Sequence, residues 1–212
     1  MVTLDSALQN SYAEHVLSGK CLPINYNTYI SMQQTVAGEN ISVNVARAVS
    51  RLKTIFMTFE NRSILTQGET QYIKEFNNFY HPMNGWPYNQ AEELEYQIQI
   101  GSKMMPEYPV KSASQTWYEL KKALGIHSSA FHSISPRFDQ YLNHQFIVGL
   151  DCEKVLDASW TGLNTKAGDM LTIKLKGANG TIPADKMPTK IYITLQSDNI
   201  LEIRDSGATV FD

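Results

Sequence analysis

Apolar and polar residues alternate through much of this chain, most clearly in its last forty or so positions. Leu171, Ile173 and Leu175 alternate with Thr172, Lys174 and Lys176, and Ile191, Ile193 and Leu195 alternate with Tyr192, Thr194 and Gln196. A period of two places one face of a strand on a core and the other in water. Ser197-Asp198-Asn199 reads as punctuation, after which Leu201 and Ile203 resume the alternation. Ser206-Gly207 then turns the chain into a short run from Thr209 to Phe211. The expectation is an antiparallel meander with short turns, ending inside the fold.

The same period recurs upstream. Ile24, Tyr26, Thr28, Ile30 and Met32 share one face, Ile41, Val43 and Val45 another, and Tyr96 to Ile100 a third. Thr54 to Phe59 and Gln145 to Leu150 read as buried strands. The stretch ARAVSRLK before Thr54 fits a helix face through Val45, Val49 and Leu52, yet it flows into a strand. Two segments read as helices. Residues 5–18 offer Asp5 or Ser6 as a cap, a stripe of Ala7, Leu8, Tyr12, Val16 and Leu17, and Gly19 as a stop. Residues 112–125 carry a capping-box pattern from Ser112 to Gln115 and an apolar side of Trp117, Leu120 and Leu124. Met104 to Pro109, 126–142 and 161–169 read as irregular connections. Seven or more short strands, two or three short helices in the connections and no βαβ rhythm indicate a mainly β fold. The expected architecture is an antiparallel β-sandwich of jelly-roll type, with 1–212 as a single jelly-roll domain.

Composition narrows the function classes. The chain has 212 residues, of which 42% are hydrophobic and only 18% charged, and its polar surface is supplied by Asn, Gln, Ser, Thr and 11 tyrosines. That mix suits large contacts between subunits. A net charge of −3 offers no basic field to hold nucleic acid. Cys21 and Cys152 form no disulfide framework or metal spacing and read as reduced, buried thiols. No apolar run approaches the ~18 residues of a membrane span. The N-terminal stretch lacks the basic start and apolar middle of a signal peptide, so the sequons at Asn40, Asn61 and Asn179 carry little weight.

Signatures of chemistry are sparse. His127 and His132 lie five apart in IHSSAFHS, without a third ligand nearby or an HExxH pattern. Ser128 and Ser129 beside His127 lack a nucleophile elbow. Glu92, Glu93, Glu95, Asp151, Glu153 and Asp157 include no two acids that spacing sets at a catalytic distance. Gly162, Gly168, Gly177 and Gly180 are turn glycines and cradle no phosphate. The expectation is no enzyme, no metal and no cofactor. Arg47, Arg51 and Lys53 form a basic cluster that reads as a solvated face or as inter-subunit salt bridges. The long segment 61–90 holds Phe79, Tyr80, Trp86 and Tyr88 close to Pro and Gly. These rings are the candidate subunit contact, because aromatic anchors dominate interface energies. An alternative from another class is a jelly-roll carbohydrate-binding module or lectin, in which Trp86, Tyr88 and Trp160 stack on sugar rings.

The strings GLDCEKVLDASWTGLNTKAGDMLTIKLKG and MPTKIYITLQSDNILEIRDSGATVFD resemble the C-terminal jelly roll of double jelly-roll major capsid proteins, of the polinton-like and adintovirus-like DNA virus lineage. The resemblance extends upstream through EYQIQIGSKMMPEYPVKSASQTWYELKKALG and INYNTYISMQQTVAGENISVNVARAVSRLKTIFMTF. It implies a structural protein of the virion, assembled inside the host cell as trimers of pseudo-sixfold outline that tile an icosahedral shell. It also implies no enzyme activity and no cofactor. The partners it implies are copies of the same chain together with penton and minor capsid proteins. Full-length members are about twice as long, so the resemblance places this chain as the C-terminal part of a longer coat protein or as a single-roll relative.

Overall fold

The computed structural model describes residues 5–38, 40–60, 94–126, 137–153, 162–166, 170–177 and 188–211. The elements follow in chain order: α1 (Ser6–Leu17), β1 (Leu22–Thr35), β2 (Asn40–Val45), β3 (Leu52–Glu60), β4 (Leu94–Ile100), β5 (Lys103–Lys111), α2 (Ala113–Ala123), α3 (Phe138–His144), β6 (Val148–Asp151), β7 (Leu171–Gly177), β8 (Lys190–Arg204) and β9 (Gly207–Phe211).

Strand pairing is nested. β1 pairs with β8, β2 with β7, β3 with β6 and β4 with β5, all antiparallel. Each pair encloses the next along the chain, so the molecule is a long ribbon wrapped on itself, which is the jelly-roll arrangement. Pairing of β3 with β8 and of β4 with β7 joins the ribbon into two sheets. One runs β1-β8-β3-β6, with β9 added beside β8, and the other runs β2-β7-β4-β5. The predicted apolar faces meet between them. Ile55, Met57, Ile193 and Leu195 of the first sheet and Ile98 and Ile173 of the second are fully buried. Mainly β, antiparallel and of jelly-roll type, the fold is the one the alternation predicts.

The local departures have physical causes. The expected meander fails between β7 and β8, which lie in opposite sheets; of these last three strands β8 and β9 alone form a hairpin. Ser197-Asp198-Asn199 does not interrupt β8. Ser197 and Asn199 face inward and are buried. The Thr28 hydroxyl on β1 lies 3.0 Å from Ser197 Oγ and donates to Asn199 Oδ1 at 3.1 Å, so the polar atoms are satisfied inside the sheet. The segment read as irregular at Met104–Pro109 belongs to β5. There Val110 pairs with Tyr96 and Met105 with Ile98, so four residues, 106–109, bulge out opposite Gln97. Gln97 Nε2 donates to the Pro106 and Glu107 carbonyls at 2.8 and 3.1 Å and holds the bulge in place.

Ser112 caps α2 as its sequence indicates, accepting from the Gln115 N–H at 3.3 Å. In return the Lys111 N–H, one residue before the cap, donates to Gln115 Oε1 at 3.0 Å. Gly149 on β6 lets α2 approach: a Cβ there would lie 2.8 Å from Leu120 Cδ1 and 3.2 Å from Leu120 Cα. α3 forms inside the segment read as loop. Its seven residues are too few to show a period, and ring packing stabilises it. Tyr141 is buried with its ring centroid 4.5 Å from Trp117 and 5.2 Å from Phe146, and its hydroxyl donates to the Ile147 carbonyl at 2.9 Å. The predicted strand at Gln145 begins three residues later, at Val148. Residues 46–51 are neither helix nor strand, although Val49 is buried. α1 is helical as predicted but buries no residue, so its expected apolar stripe meets solvent at Leu8, Tyr12 and Leu17.

Candidate interaction surfaces

The candidate contact residues Phe79, Tyr80, Trp86 and Tyr88 lie outside the described residues, as do Trp160, His81, His127, His132, Ser128, Ser129, Glu92, Glu93 and Asp157. Among the described residues no group of three or more His, Cys, Asp or Glu side chains is placed to hold a metal ion. No described helix is long and apolar enough to cross a membrane. Cys152 is fully enclosed, and burial pushes its thiol pKa up, with Asp151 and Glu153 adding to the effect. It is an inert core thiol rather than a nucleophile. Cys21 is only partly buried, against the expectation that both thiols lie inside.

Two charged clusters are built by the sheets. Lys53 on β3 reaches Glu153 Oε1 at 2.9 Å and Asp198 Oδ1 at 3.6 Å, while Arg51 Nε donates to the Asp198 carbonyl at 3.3 Å. Two members of the predicted basic cluster are therefore engaged within the chain, and only Arg47 stands exposed. Burial alone lowers the Lys53 pKa. Its hydrogen bond to Glu153 and the charge of Asp198 outweigh that and hold it above the ordinary 10.5. On the outer face of the second sheet, the buried Glu95 carboxylate lies 3.2 Å from Lys176 Nζ and 3.5 Å from Lys111 Nζ. An open groove of about 270 Å³ adjoins it, lined by Asn40, Ser42, Gln97, Pro109, Lys174 and Lys176. Glu95 pairs with two of the surrounding cations, and Ile41, Tyr96 and Leu175 complete a lining that is more apolar than polar. Nothing in it orients a nucleophile or a proton-transfer pair.

The larger exposed features belong to the first sheet. β1 and β8 pair over fourteen residues, whereas β2 and β7 pair over six. The longer ribbon overhangs the shorter sheet, and its inner face there shows Ile24 and Tyr26 of β1 and Val210 of β9 to solvent. β1 is also the outermost strand of its sheet. Sequence reading found the strand and missed its position, because alternation reports which face is buried and says nothing about which edge is free. Tyr108, 79% exposed at the β5 bulge, is a second feature hidden by the reading of that segment as a connection.

No protein-family model matches the chain, and no curated protein matches it. Solved structures do. PBCV-1 VP54, as fitted into a cryo-EM reconstruction of the virophage Sputnik, aligns with a TM-score of 0.56 at 12% identity, covering 99% of this chain and 55% of that one. A quasi-atomic structure of the PBCV-1 virus capsid aligns at 11% identity with a TM-score of 0.48, over the same shares. The chain thus spans a little over half the length of these two structures. At this identity the likeness to VP54 is one of fold.

Proposed function

We propose that this chain is a structural capsid protein of a virion, or the jelly-roll part of a longer one. It associates with its own copies as trimers that form pseudo-hexameric capsomers of an icosahedral shell. The observation that supports this reading is the nested jelly roll, which aligns with VP54 across 99% of the chain. The scarcity of charge and the abundance of Asn, Gln and Tyr fit a surface that mostly meets copies of itself. Penton and minor capsid proteins are the further neighbours of this reading, and no enzyme activity or cofactor is part of it. Phe79, Tyr80, Trp86 and Tyr88 are assigned to the contact between copies.

Light scattering behind a sizing column, followed by electron microscopy of the same fractions, tests the reading. The expected result is a particle of three 23.9 kDa chains that condenses into larger arrays, and Trp86→Ala weakens that trimer. A chain that stays monomeric at every concentration and forms no arrays sinks it.

A further inference from the structure

The edge of β1 that no described residue pairs with is built to accept another strand, and we propose that the strand it accepts is β1 of a second copy. The inference rests on the capsid reading for its biological setting, while the pairing itself follows from the edge.

β1 runs for fourteen residues, Leu22–Thr35, in unbroken register with β8 on one side. On its other side no described residue bonds to its backbone. Such an edge presents a row of unpaired N–H and C=O groups. Proteins that remain single protect such rows with charge, proline, bulges or brevity. β5, the outermost strand of the other sheet, has these devices: Pro106 and Pro109, Glu107, lysines at both ends and a four-residue bulge. β6, at the far edge of the first sheet, is four residues long. β2 lies beside the last turn of β1, where Gln34 Nε2 donates to the Asn44 carbonyl at 2.7 Å. β1 has none of these protections beyond Pro23 at its start.

The chemistry of β1 favours a copy of itself as the occupant. The strand contains no Asp, Glu, Lys, Arg or His, although at the chain's 18% charged content a run of fourteen holds about two or three such residues. A strand that pairs antiparallel with its own copy about its middle sets the central residue opposite its own counterpart and every other residue opposite one from the far half of the same strand, so a charge near the middle would meet its like and destabilise the pair. Its outward face is Asn25, Asn27, Tyr29, Ser31 and Gln33, neutral hydrogen-bonding side chains that tolerate such a meeting. Tyr29, at mid-strand and 61% exposed, sits where the two copies cross. On the inner face the exposed Ile24 and Tyr26 gain cover from the added strand.

The test is a charge swap at Tyr29, read by sedimentation equilibrium of the full chain with folding checked by circular dichroism. Tyr29→Lys and Tyr29→Glu, each alone, are expected to weaken association about tenfold or more, and an equimolar mixture to restore it. Restoration by mixing separates edge pairing from loss of stability. Should a variant fail to fold, hydrogen exchange on the unaltered chain decides: amides within 24–34 are expected to gain protection as concentration rises, and unchanged protection overturns the proposal. Association equally strong in both variants overturns it and leaves the capsid reading standing. Dimers that vanish in the variants, return on mixing and never grow further support the edge and sink the capsid reading. A monomer at all concentrations overturns both.

Discussion

The two halves of β8 carry one alternation into two environments. Ile191, Ile193 and Leu195 are sealed between the sheets, with no measurable exposure. Leu201 and Ile203 continue the same face two turns of the pleat later and are only half covered. The difference arises elsewhere in the chain. β2 ends after six residues and β7 after seven, so the second sheet runs out while β1, β8 and β9 continue as a three-stranded ribbon. An apolar residue on a strand is stabilising in proportion to what lies over it, and the pattern on the strand itself carries no information about that.

Matched truncations on either side of the divide give the largest effect. Leu195→Ala removes packing from a closed interior and is expected to cost about 2–5 kcal/mol in urea unfolding. Leu201→Ala, two residues beyond the last polar inward position, is expected to cost less than about 1 kcal/mol at protein concentrations where the chain is monomeric. Equal costs would mean that the ribbon is covered as fully as the core, and the contrast between the halves would collapse.

Lys53 stands at the junction, bridging Glu153 after β6 to Asp198, where β8 passes from one environment to the other. Its Lys53→Met variant is expected to lose about 1 kcal/mol at neutral pH, the scale of a partly exposed ion pair. The sign of the pH dependence follows from the raised pKa. The contribution of Lys53 is complete below the ordinary 10.5 and disappears as pH rises through its higher folded value. Thermal unfolding should therefore show a constant gap between the two proteins up to that ordinary value and a narrowing gap above it. A gap that closes on acidification from neutral pH while remaining unchanged in alkali would assign the effect to the carboxylates alone.

Much of this architecture was legible because the period-two signal is strong where both sheets cover a strand. The faces of β2, β7 and the first half of β8 follow it residue by residue. Partnership was not legible. The nested pairing that separates β7 from β8 depends on contacts far apart in sequence, and Thr28 satisfies Ser197 and Asn199 from 169 and 171 residues away, which no local rule for turn residues anticipates. α3 is stabilised by Trp117 and Phe146, which lie outside it. α1 errs in the opposite direction: its local pattern is helical and sound, and the apolar stripe has nothing to meet among the described residues. The aromatic segment proposed as the contact between copies rests on composition, whereas the edge of β1 became visible only once the strand order was known.

The smallest predicted effect is at β9, where the contrast is most extreme. Every residue of Gly207–Phe211 is exposed, and Val210 pairs with Leu201 on the overhanging inner face while 53% of it remains in contact with water. Backbone pairing with Ile200–Arg204 therefore accounts for most of what holds the strand. Val210→Ser removes little buried area and keeps the ladder, so unfolding of the monomer is expected to shift by less than about 0.5 kcal/mol. The same substitution measured in the associated protein is more informative. If its cost stays that small, the inner face at β9 is solvated in the assembly too, and contact between copies is confined to β1. A cost several times larger on association would extend the interface across β8 to β9, making the whole overhang part of the surface between copies.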